Sequence, residues 1–563
     1  MKNRRHSLVR VARGPQSSVK RALLLGSWLL GGMLSASSVM AWDADDEGPV
    51  IRTAEGPVRG FTRNGVHEFL GIPYAAAPVG ELRWMPPQPA KPWDHPLNAT
   101  HFRNTCAQVT ELGAFAGPSS VSEDCLYLNV FTAGAAGNHR ELKPVLVWIH
   151  GGGNVDGESN DYDASKLATG GPSGTATVVV TINYRLGIFG FFSNSIVNAE
   201  GHPWGNYGIL DQQAALRWVH ANIAAFGGDP NRVTLGGQSA GARDTTANLL
   251  SPLSKGLFQR AILESYPEIS WVTAAQMLAR GDAFAAAAGC SDASCLRNLS
   301  TARILQLQGT PNANSPFAQQ VFPDGTIVPV QPGVGWKTGR FHHMPIMAGL
   351  VHDEGNFGLS ITEYFSGPPQ VALTAEQYMA SNPANVLAQY PLTSYANDPQ
   401  LAQDRVSTDP IACTTLQVGN LLAPQVPTYM YEFTYQSAPY YFPQMPNASS
   451  TTGHFQPLAA HTIDIQFLFT GYHGGNLGVN LDQVTGQPRE LEGKEITLSD
   501  QLVAAWTSFA ATGNPNSSDN SPWPRFTSAA PVFLSENIPL STLTAAEFSS
   551  NHHCAFWDTV LQH

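Results

Sequence analysis

The chain is poor in charge, and above all in positive charge. Lys and Arg together number 31 among 563 residues, against 43 Asp and Glu. Residues 1–41 hold seven of the basic residues and no acidic ones, so the remainder has 24 basic and 43 acidic residues, a formal charge of −19. Nucleic acid and anionic membrane surfaces are poor partners for such a chain, because both are negatively charged.

Long apolar runs are also missing. No stretch of about 18 uninterrupted apolar residues is present, so we predict no membrane span. The N-terminus instead carries the seven basic residues, then the apolar run 22–34, then small residues and a V-x-A sequence at 39–41. This order is typical of a secretory signal peptide. We therefore predict that residues 1–41 are a signal peptide and that residues 42–563 form a single domain, secreted or periplasmic.

Cysteine is scarce, and its spacing excludes a cysteine-based metal site. The six cysteines are Cys106, Cys125, Cys290, Cys295, Cys413 and Cys554, and none has the spacing of metal ligands. An even number in an exported chain favours disulfides, although six cysteines permit 15 pairings and counting alone leaves them open. We expect no metal and no cofactor.

One segment combines a strand, a tight turn and a helix around a serine. Residues 233–235 are a short apolar run, residues 237–241 (G-Q-S-A-G) fit G-x-S-x-G, and a helix-compatible segment follows from 242 to about 250. In this context the motif indicates a nucleophile elbow that exposes the Ser239 hydroxyl at the top of a sheet. Its two glycines are needed because side chains there would collide with the adjoining strand and helix. Taken alone, the pentapeptide also fits a structural turn.

A glycine-rich loop supplies a second signal. The apolar run 144–149 leads directly into H-G-G-G at 150–153. The backbone N–H groups of Gly152 and Gly153, together with that of Ala240, are then suited to hold the oxyanion of a tetrahedral intermediate. A phosphate-binding loop is the alternative, but neither G-x-G-x-x-G nor a Walker pattern is present here.

Segments typical of strands and of helices alternate along the chain. Short strands are predicted at 50–52, 57–60, 67–70, 122–132, 143–150 and 177–182. Apolar positions at helical spacing predict a helix over 207–226. Residues 270–440 are richer in helix and loop signals, and we interpret them as insertions over the C-terminal edge of the sheet. The alternation predicts an α/β fold with a mostly parallel central sheet flanked by helices.

Eight stretches between about residue 50 and the C-terminus follow one known family in sequence and in order. They are F-L-G-I-P-Y-A (69–75), P-V-G-E-L-R-W (78–84), S-E-D-C-L-Y-L-N-V (122–130), W-I-H-G-G-G (148–153), N-Y-R-L-G-I-F-G-F (183–191), D-Q-Q-A-A-L-R-W-V (211–219), A-F-G-G-D-P-N-R-V-T (225–234) and A-T-G-N-P-N (511–516). The chain thus resembles the type-B carboxylesterases, which include the cholinesterases and bacterial para-nitrobenzyl esterases. The resemblance implies an α/β-hydrolase fold with large insertions over the active site.

The resemblance also implies the remaining catalytic residues. Asp353-Glu354-Gly355 matches the D-E-G motif that holds the catalytic acid of this family, and the run after His461 is similar to the one that follows its catalytic base. The chain order Ser239, Glu354, His461 is the order of α/β-hydrolases. The disulfides that the resemblance implies are Cys106–Cys125, Cys290–Cys295 and Cys413–Cys554.

Some positions near the serine depart from the family pattern. Gln238 stands where glutamate is usual, Asn154 where an aromatic is common, and Arg243-Asp244 where small residues are usual. We therefore regard Gln238, Arg243 and Asn154 as candidate substrate-binding residues. Gln238 and Arg243 would suit an acidic or highly polar ester. The alternative is an ion pair of Arg243 with an aspartate, such as Asp244, that supports the helix. The 106–125 loop has no Trp, which argues against a choline ester as the preferred substrate.

The expected chemistry is acyl transfer to a serine. His461 would take the Ser239 proton, Glu354 would orient His461, and an acyl-enzyme would form from a small-molecule ester and then be hydrolysed. The same machinery would serve a specialised ester, a carbamate or an amide. A non-catalytic adhesion module, as in family members that lack the nucleophile, is the alternative from another class. The acyl and alcohol preference and the oligomeric state are not predicted.

Overall fold

A large mixed sheet forms the centre of the fold. The computed structural model describes residues 48–110, 117–134, 141–265, 267–309, 320–366, 373–441, 456–472, 479–517 and 522–561, and the predicted signal peptide lies outside them. Numbered in chain order, the strands are β1 (Val50–Arg52), β2 (Pro57–Arg59), β3 (Phe61–Arg63), β4 (Val66–Pro73), β5 (Leu97–Asn98), β6 (Tyr127–Ala133), β7 (Lys143–Ile149), β8 (Val178–Ile182), β9 (Gly228–Gln238), β10 (Arg260–Glu264), β11 (Ile346–Val351), β12 (Thr428–Phe433), β13 (Val532–Glu536) and β14 (Ser541–Thr544).

The main sheet is parallel in its middle and antiparallel at both edges. Within the described residues it has eleven strands in the order β14-β13-β12-β11-β10-β9-β7-β8-β6-β4-β3. The pairs from β13 to β8 are parallel, whereas β14 pairs antiparallel with β13, and β6, β4 and β3 run antiparallel at the other edge. A separate small sheet contains β1, β2 and β5. The prediction of a mostly parallel central sheet is confirmed.

Both faces of the sheet are covered, which explains its apolar central strands. In β7, Val145, Val147 and Ile149 belong to one buried cluster, while Leu146 and Trp148 belong to another. Successive side chains of a strand point to opposite faces, so each face packs against its own layer. Parallel strands buried on both faces have nearly continuous apolar sequences, as in β7, β8 and β11.

Helices flank the sheet and fill the long connections. In chain order they are α1 (Ser165–Thr169), α2 (Gly187–Phe191), α3 (Ser195–Asn198), α4 (Tyr207–Asn222), α5 (Ala240–Leu250), α6 (Ala274–Ala288), α7 (Ala293–Asn298), α8 (Thr301–Gln308), α9 (Pro332–Thr338), α10 (Asn356–Ser366), α11 (Ala375–Ser381), α12 (Ala384–Gln389), α13 (Pro399–Leu422), α14 (Ile465–Leu468), α15 (Lys494–Thr512), α16 (Ala545–Asn551) and α17 (Cys554–Val560). The helix predicted over 207–226 is α4 followed by a 3-10 turn at Ile223–Phe226.

The interpretation of residues 270–440 as insertions alone was wrong. This segment does hold α6–α9 and α10–α13, but it also contributes β11 and β12 to the parallel part of the sheet. All six residues of each strand are buried, and β11 pairs in parallel with both β10 and β12.

The strand predicted over 122–132 begins only at Tyr127. The preceding residues include Cys125, which is bonded to Cys106.

Candidate active site

Ser239 lies at a strained turn between β9 and α5. The strand ends at Gln238 and the helix begins at Ala240. Ser239 between them has φ 58° and ψ −121°, a backbone conformation that residues other than glycine rarely adopt. A side chain at Gly241 would come within 2.0 Å of the Ile149 carbonyl oxygen, so this glycine permits β7 and α5 to approach each other. The turn exposes the Ser239 side chain at the end of the strand, as a nucleophile elbow does.

The glycine-rich loop after β7 faces the same place. Gly152 and Gly153 have positive φ values of 97° and 62°, and a Cβ at Gly152 would lie 2.1 Å from the Asp156 carbonyl oxygen. Gly153 and Ala240 both line the cavity that contains Ser239. Ala240 is also the first residue of α5, where backbone N–H groups are free of helical partners and the helix dipole favours negative charge.

Asn154, predicted as a substrate-binding residue, supports this loop and is not among the residues that line the cavity. Its side chain is fully buried; it donates to Asp244 at 3.0 Å and accepts from the Tyr184 hydroxyl at 3.0 Å. Asp244 also accepts from Gln212. Burial raises the pKa of Asp244 to about 7, against the opposing effect of these hydrogen bonds.

Glu354 and His461 meet beside Ser239. Glu354 lies in the turn after β11 and is held by the Val351 N–H, which donates to its carboxylate at 3.1 Å. His461 lies shortly before α14, in a segment where Thr462 has φ 79° and Asp353 forms a parallel bridge with Ala460. The Nδ1 atom of His461 is 2.5 Å from Oε2 of Glu354, and both side chains are buried. Ser239, Glu354 and His461 all line one cavity.

Gln238 lies against the His461 ring and not in the cavity lining. Its amide nitrogen is 3.1 Å from Nε2 and 3.4 Å from Nδ1 of His461. Because these distances are similar, the amide lies beside the ring between its two nitrogens and not in line with the Nε2 lone pair. Gln238 is fully buried and contacts His461, which lines the cavity, so its role in substrate binding stays a prediction.

The cavity has a volume of about 650 Å³, within the usual size of small-molecule sites. Arg243 of α5, a predicted substrate contact, lines the cavity, and its guanidinium donates to Glu268 at 2.8 and 2.7 Å. The predicted pairing of Arg243 with an aspartate is therefore wrong, because the acidic partner of its guanidinium is Glu268. Other residues of the lining come from the connections after β11, namely Phe357, Leu359, Leu373, Ser381, Gln403, Ser407 and Ile411.

Known proteins share this architecture and sequence. The model of the carboxylesterase family matches residues 47–557. Liver carboxylesterase 1 of Oryctolagus cuniculus is 33% identical over 558 residues, covering 89% of this chain and 92% of its own. Pyrethroid hydrolase Ces2a of Mus musculus is 34% identical over 523 residues, covering 85% and 86%. A solved thermophilic PNB esterase aligns with a TM-score of 0.70 at 29% identity, covering 90% of this chain and 99% of its own.

The chain belongs to the carboxylesterase family. The protein is accordingly a carboxylic ester hydrolase with the α/β-hydrolase fold. Within the described residues, no helix of this carboxylesterase is both long enough and apolar enough to cross a bilayer.

Three disulfides join the six cysteines of this carboxylesterase. They are Cys106–Cys125, Cys290–Cys295 and Cys413–Cys554, the pairs that the resemblance implies. The last one links α13 to the start of α17 across a sequence separation of 141 residues. The C-terminal segment is therefore tied covalently to the helix that contributes Gln403, Ser407 and Ile411 to the cavity.

Asp353 is a supporting residue that our sequence reasoning missed. Its carboxylate accepts from the Ala459 N–H at 2.9 Å and from Arg405 at 2.8 Å, and so joins the turn after β11 to the segment before His461. Burial alone would raise the pKa of Asp353, but the neighbouring His352 and Arg405 hold the pKa well below its usual range. Its position beside Glu354 in the D-E-G motif was the available signal.

Other buried acids lie near the site and were also missed. Glu264 ends β10, Asp464 follows His461 by three residues, and both are buried and interact electrostatically with Glu354. Burial, followed by the charge of Asp464, raises the pKa of Glu264 well above its usual range. A Glu264 carboxyl that stays protonated adds no negative charge beside Glu354. A glutamate at the end of a buried strand was the sequence signal.

Proposed function

We propose that Ser239, His461 and Glu354 carry out ester hydrolysis through an acyl-enzyme. The observation that carries the proposal is that these three side chains line one cavity, with Nδ1 of His461 joined to Glu354 at 2.5 Å. A glutamate that accepts from Nδ1 leaves Nε2 of the neutral ring as the acceptor, which is the tautomer a general base requires.

The steps follow from this arrangement. Nε2 of His461 takes the hydroxyl proton as Ser239 Oγ attacks the ester carbonyl, and Glu354 stabilises the imidazolium that forms. The N–H groups of Gly152, Gly153 and Ala240 stabilise the oxyanion, and His461 then protonates the departing alcohol. Water repeats the attack on the acyl-enzyme and releases the acid. Removing a single oxyanion donor of this type typically costs roughly 100- to 1000-fold in turnover.

The cavity supports a small to medium-sized ester with an apolar part. Phe357, Leu359, Leu373 and Ile411 supply apolar surface, and a cavity of about 650 Å³ is much larger than an acetyl group needs. Because Arg243 is paired with Glu268, its charge is already balanced, which favours neutral over anionic esters. An acidic or highly polar ester is thus the weaker candidate of the two.

We also propose that the enzyme acts outside the cytoplasm, after removal of residues 1–41, as a single domain from residue 42. The sequence order at the N-terminus supports export, and Gly48–His563 group into one compact unit. Disulfides form and persist mainly in oxidising compartments, so the three disulfides fit this location. N-terminal sequencing of the protein released by the native host would identify the cleavage site.

Hydrolysis of p-nitrophenyl acyl esters from acetate to long chains, with one anionic acyl group, tests the proposal. Wild type is compared with Ser239→Ala and with the control Ser294→Ala, which alters an exposed serine outside the cavity lining. We expect turnover to vanish in Ser239→Ala and to persist in the control. A burst of p-nitrophenol equal to the enzyme concentration would reveal the acyl-enzyme. Substantial activity in a folded Ser239→Ala variant would show that another residue is the nucleophile.

A further inference from the structure

Two histidines and a glutamate converge at a second place in the molecule. His352 follows β11, Glu432 belongs to β12, and His552 follows α16. One ring nitrogen of each histidine and one carboxylate oxygen of Glu432 all lie within 4.8 Å of one another. From Oε1 of Glu432, Nε2 of His552 is 2.9 Å away and Nε2 of His352 is 3.9 Å away. None of the three residues lines the cavity at Ser239.

A buried carboxylate holds the other nitrogen of each ring. Nδ1 of His552 is 3.0 Å from Oδ1 of Asp409, and Nδ1 of His352 is 3.0 Å from Oδ1 of Asp353. These contacts fix the orientation of both rings, so that both Nε2 atoms point to the same oxygen. Histidines that bind metal ions almost always have such a partner on the second nitrogen, because it fixes the tautomer and increases the basicity of the ligand.

The surroundings carry an excess of buried negative charge. Four acidic side chains in this region are almost completely buried: Asp353, Asp404, Asp409 and Glu432. Two cationic side chains are buried with them, Arg405 and His552, while the side chains of His352 and His553 are 28% and 29% exposed. A divalent cation reduces such an excess, whereas the internal ion pairs alone leave it in place.

A cavity leads to this cluster. Its volume is about 280 Å³, and its lining includes His352, Glu432, Thr434 and Gln436. It has no lining residue in common with the cavity at Ser239. An ion can therefore reach the Glu432 carboxylate from this side, and a water molecule has room to complete its coordination.

We propose that His352, Glu432 and His552 bind a divalent transition-metal ion of the zinc class, with water as the fourth ligand. Two imidazoles and one carboxylate are an established ligand set for zinc, whereas calcium and magnesium prefer oxygen ligands alone. Tetrahedral zinc at its usual ligand distances separates neighbouring ligand atoms by about 3.3 Å, between the present 2.9 and 3.9 Å. The ion takes the place of the proton that His552 shares with Glu432, and that proton leaves to solvent.

Such an ion would join the sheet to the C-terminal segment. His352 directly follows β11 and Glu432 lies in the neighbouring strand β12, whereas His552 precedes Cys554, which is bonded to Cys413. Since the cluster is separate from the Ser239 cavity, the proposed role is to stabilise the fold and not to take part in ester hydrolysis. All six cysteines are in disulfides, so no thiolate competes for the ion.

The test is a zinc titration of the purified full-length enzyme after removal of metals with a chelator. Isothermal titration calorimetry is carried out on wild type, His352→Ala, Glu432→Gln and the control His95→Ala, which removes an exposed histidine. We expect one zinc ion per chain in wild type and control, with a higher thermal midpoint in the presence of zinc. Loss of a ligand should weaken binding by more than about 100-fold, since even an outer partner typically contributes 10- to 100-fold. Ester turnover of chelator-treated enzyme should equal that of the zinc-loaded enzyme.

Two results would overturn the proposal. One is a wild-type enzyme with no saturable zinc binding below a Kd of about 1 mM. The other is a His352→Ala variant that binds zinc as tightly as wild type, which would place the ion elsewhere. If the variants fail to fold, anomalous diffraction from zinc-soaked wild-type crystals decides: a peak among His352, Glu432 and His552 supports the proposal, and its absence there refutes it.

Discussion

Arg243 and Glu268 form a two-bond ion pair at the edge of the cavity, with N–O distances of 2.8 and 2.7 Å. The indole of Trp271 donates to the same carboxylate. A guanidinium in a paired fork is held in place and has its charge balanced, so it is a poor receptor for a second anion. A change in this ion pair should therefore change the preference of the enzyme for neutral over anionic esters.

Glu268→Gln should make the enzyme more favourable to anionic esters. The substitution keeps the size of the side chain and removes its charge, so the cation of Arg243 is no longer balanced. We expect the ratio of kcat/KM for an anionic ester to that for a neutral ester of equal length to rise by roughly tenfold, as expected for about 1.4 kcal/mol. In the double variant Arg243→Gln/Glu268→Gln, which removes both charges, kcat/KM for the two esters should change by the same factor. A selective loss of anionic ester hydrolysis in this double variant would instead show that Arg243 binds substrate in wild type.

Glu354→Gln tests the proposed catalytic acid. The amide keeps the shape but no longer stabilises the charged His461 ring, and it favours the wrong tautomer. We expect kcat to fall by about 10⁴-fold, as for the corresponding change in a serine protease, with little change in KM. Stopped-flow or prolonged steady-state assays with p-nitrophenyl acetate measure this. A loss of less than tenfold would mean that another carboxyl supports His461, with the nearby Asp464 as the first candidate.

Gln238→Glu should move the pH–rate profile. The amide lies 3.1 Å from Nε2 of His461, and a carboxylate in its place would favour the protonated ring. Because catalysis needs the neutral ring, the acidic limb of kcat/KM should shift to higher pH while the rate at alkaline pH is retained. Gln238→Met, which has similar length and no charge, is the control and should leave the limb in place. An unchanged limb in Gln238→Glu would contradict the contact.

His150 should make the fold sensitive to acid. Burial lowers the pKa of His150 from 6.5 to about 4, partly opposed by its hydrogen bond to the Gly151 carbonyl. Between these pH values the unfolded chain binds a proton that the folded chain does not, so stability falls as the pH drops from 6.5 to 4. A shift of this size corresponds to ~3 kcal/mol. Urea unfolding of His150→Phe, which preserves a ring next to Tyr184, should show a smaller loss over this range. Parallel pH curves for the two proteins would refute the assignment.

The disulfides should differ in their contribution to stability. Cys413–Cys554 closes a sequence separation of 141 residues, whereas Cys290–Cys295 closes only 5. The loop-entropy relation gives about 5 kcal/mol for the first and about 2 kcal/mol for the second. Paired Cys→Ser variants compared by thermal unfolding should therefore rank in that order. The reverse order would show that strain or residual structure, and not loop closure, dominates.

Local signals in the sequence were sufficient for the elbow and the loop after β7. Apolar runs that end in glycines define both, and a Cβ at Gly241 or Gly152 would in fact lie 2.0 or 2.1 Å from a backbone oxygen. The strands β11 and β12 were missed because each is only six residues long and is buried along its whole length, so its sequence does not alternate between apolar and polar residues. Both strands also lie between long helical connections. Their place in the sheet depends on pairing with β10 and β13, which no local window contains.

Contacts between distant segments were not predictable in the same way. Arg243 finds Glu268 in a connection after β10, so its partner could not be read from the helix that carries it. His352, Glu432 and His552 are scattered over 200 residues and have no motif in common. For Glu354 and His461 the sequence offered only single residues among many of their type, and family resemblance supplied the pairing.

Asp353 and Glu354 are adjacent in the sequence, but their carboxylates contact different residues. Asp353 contacts Arg405 and His352, while Glu354 contacts His461. Inserting or deleting one residue in this turn would therefore exchange their environments, and each would then face the wrong partner. Engineering of the cavity entrance should therefore keep the length of this turn constant and substitute residues in the helices that follow it.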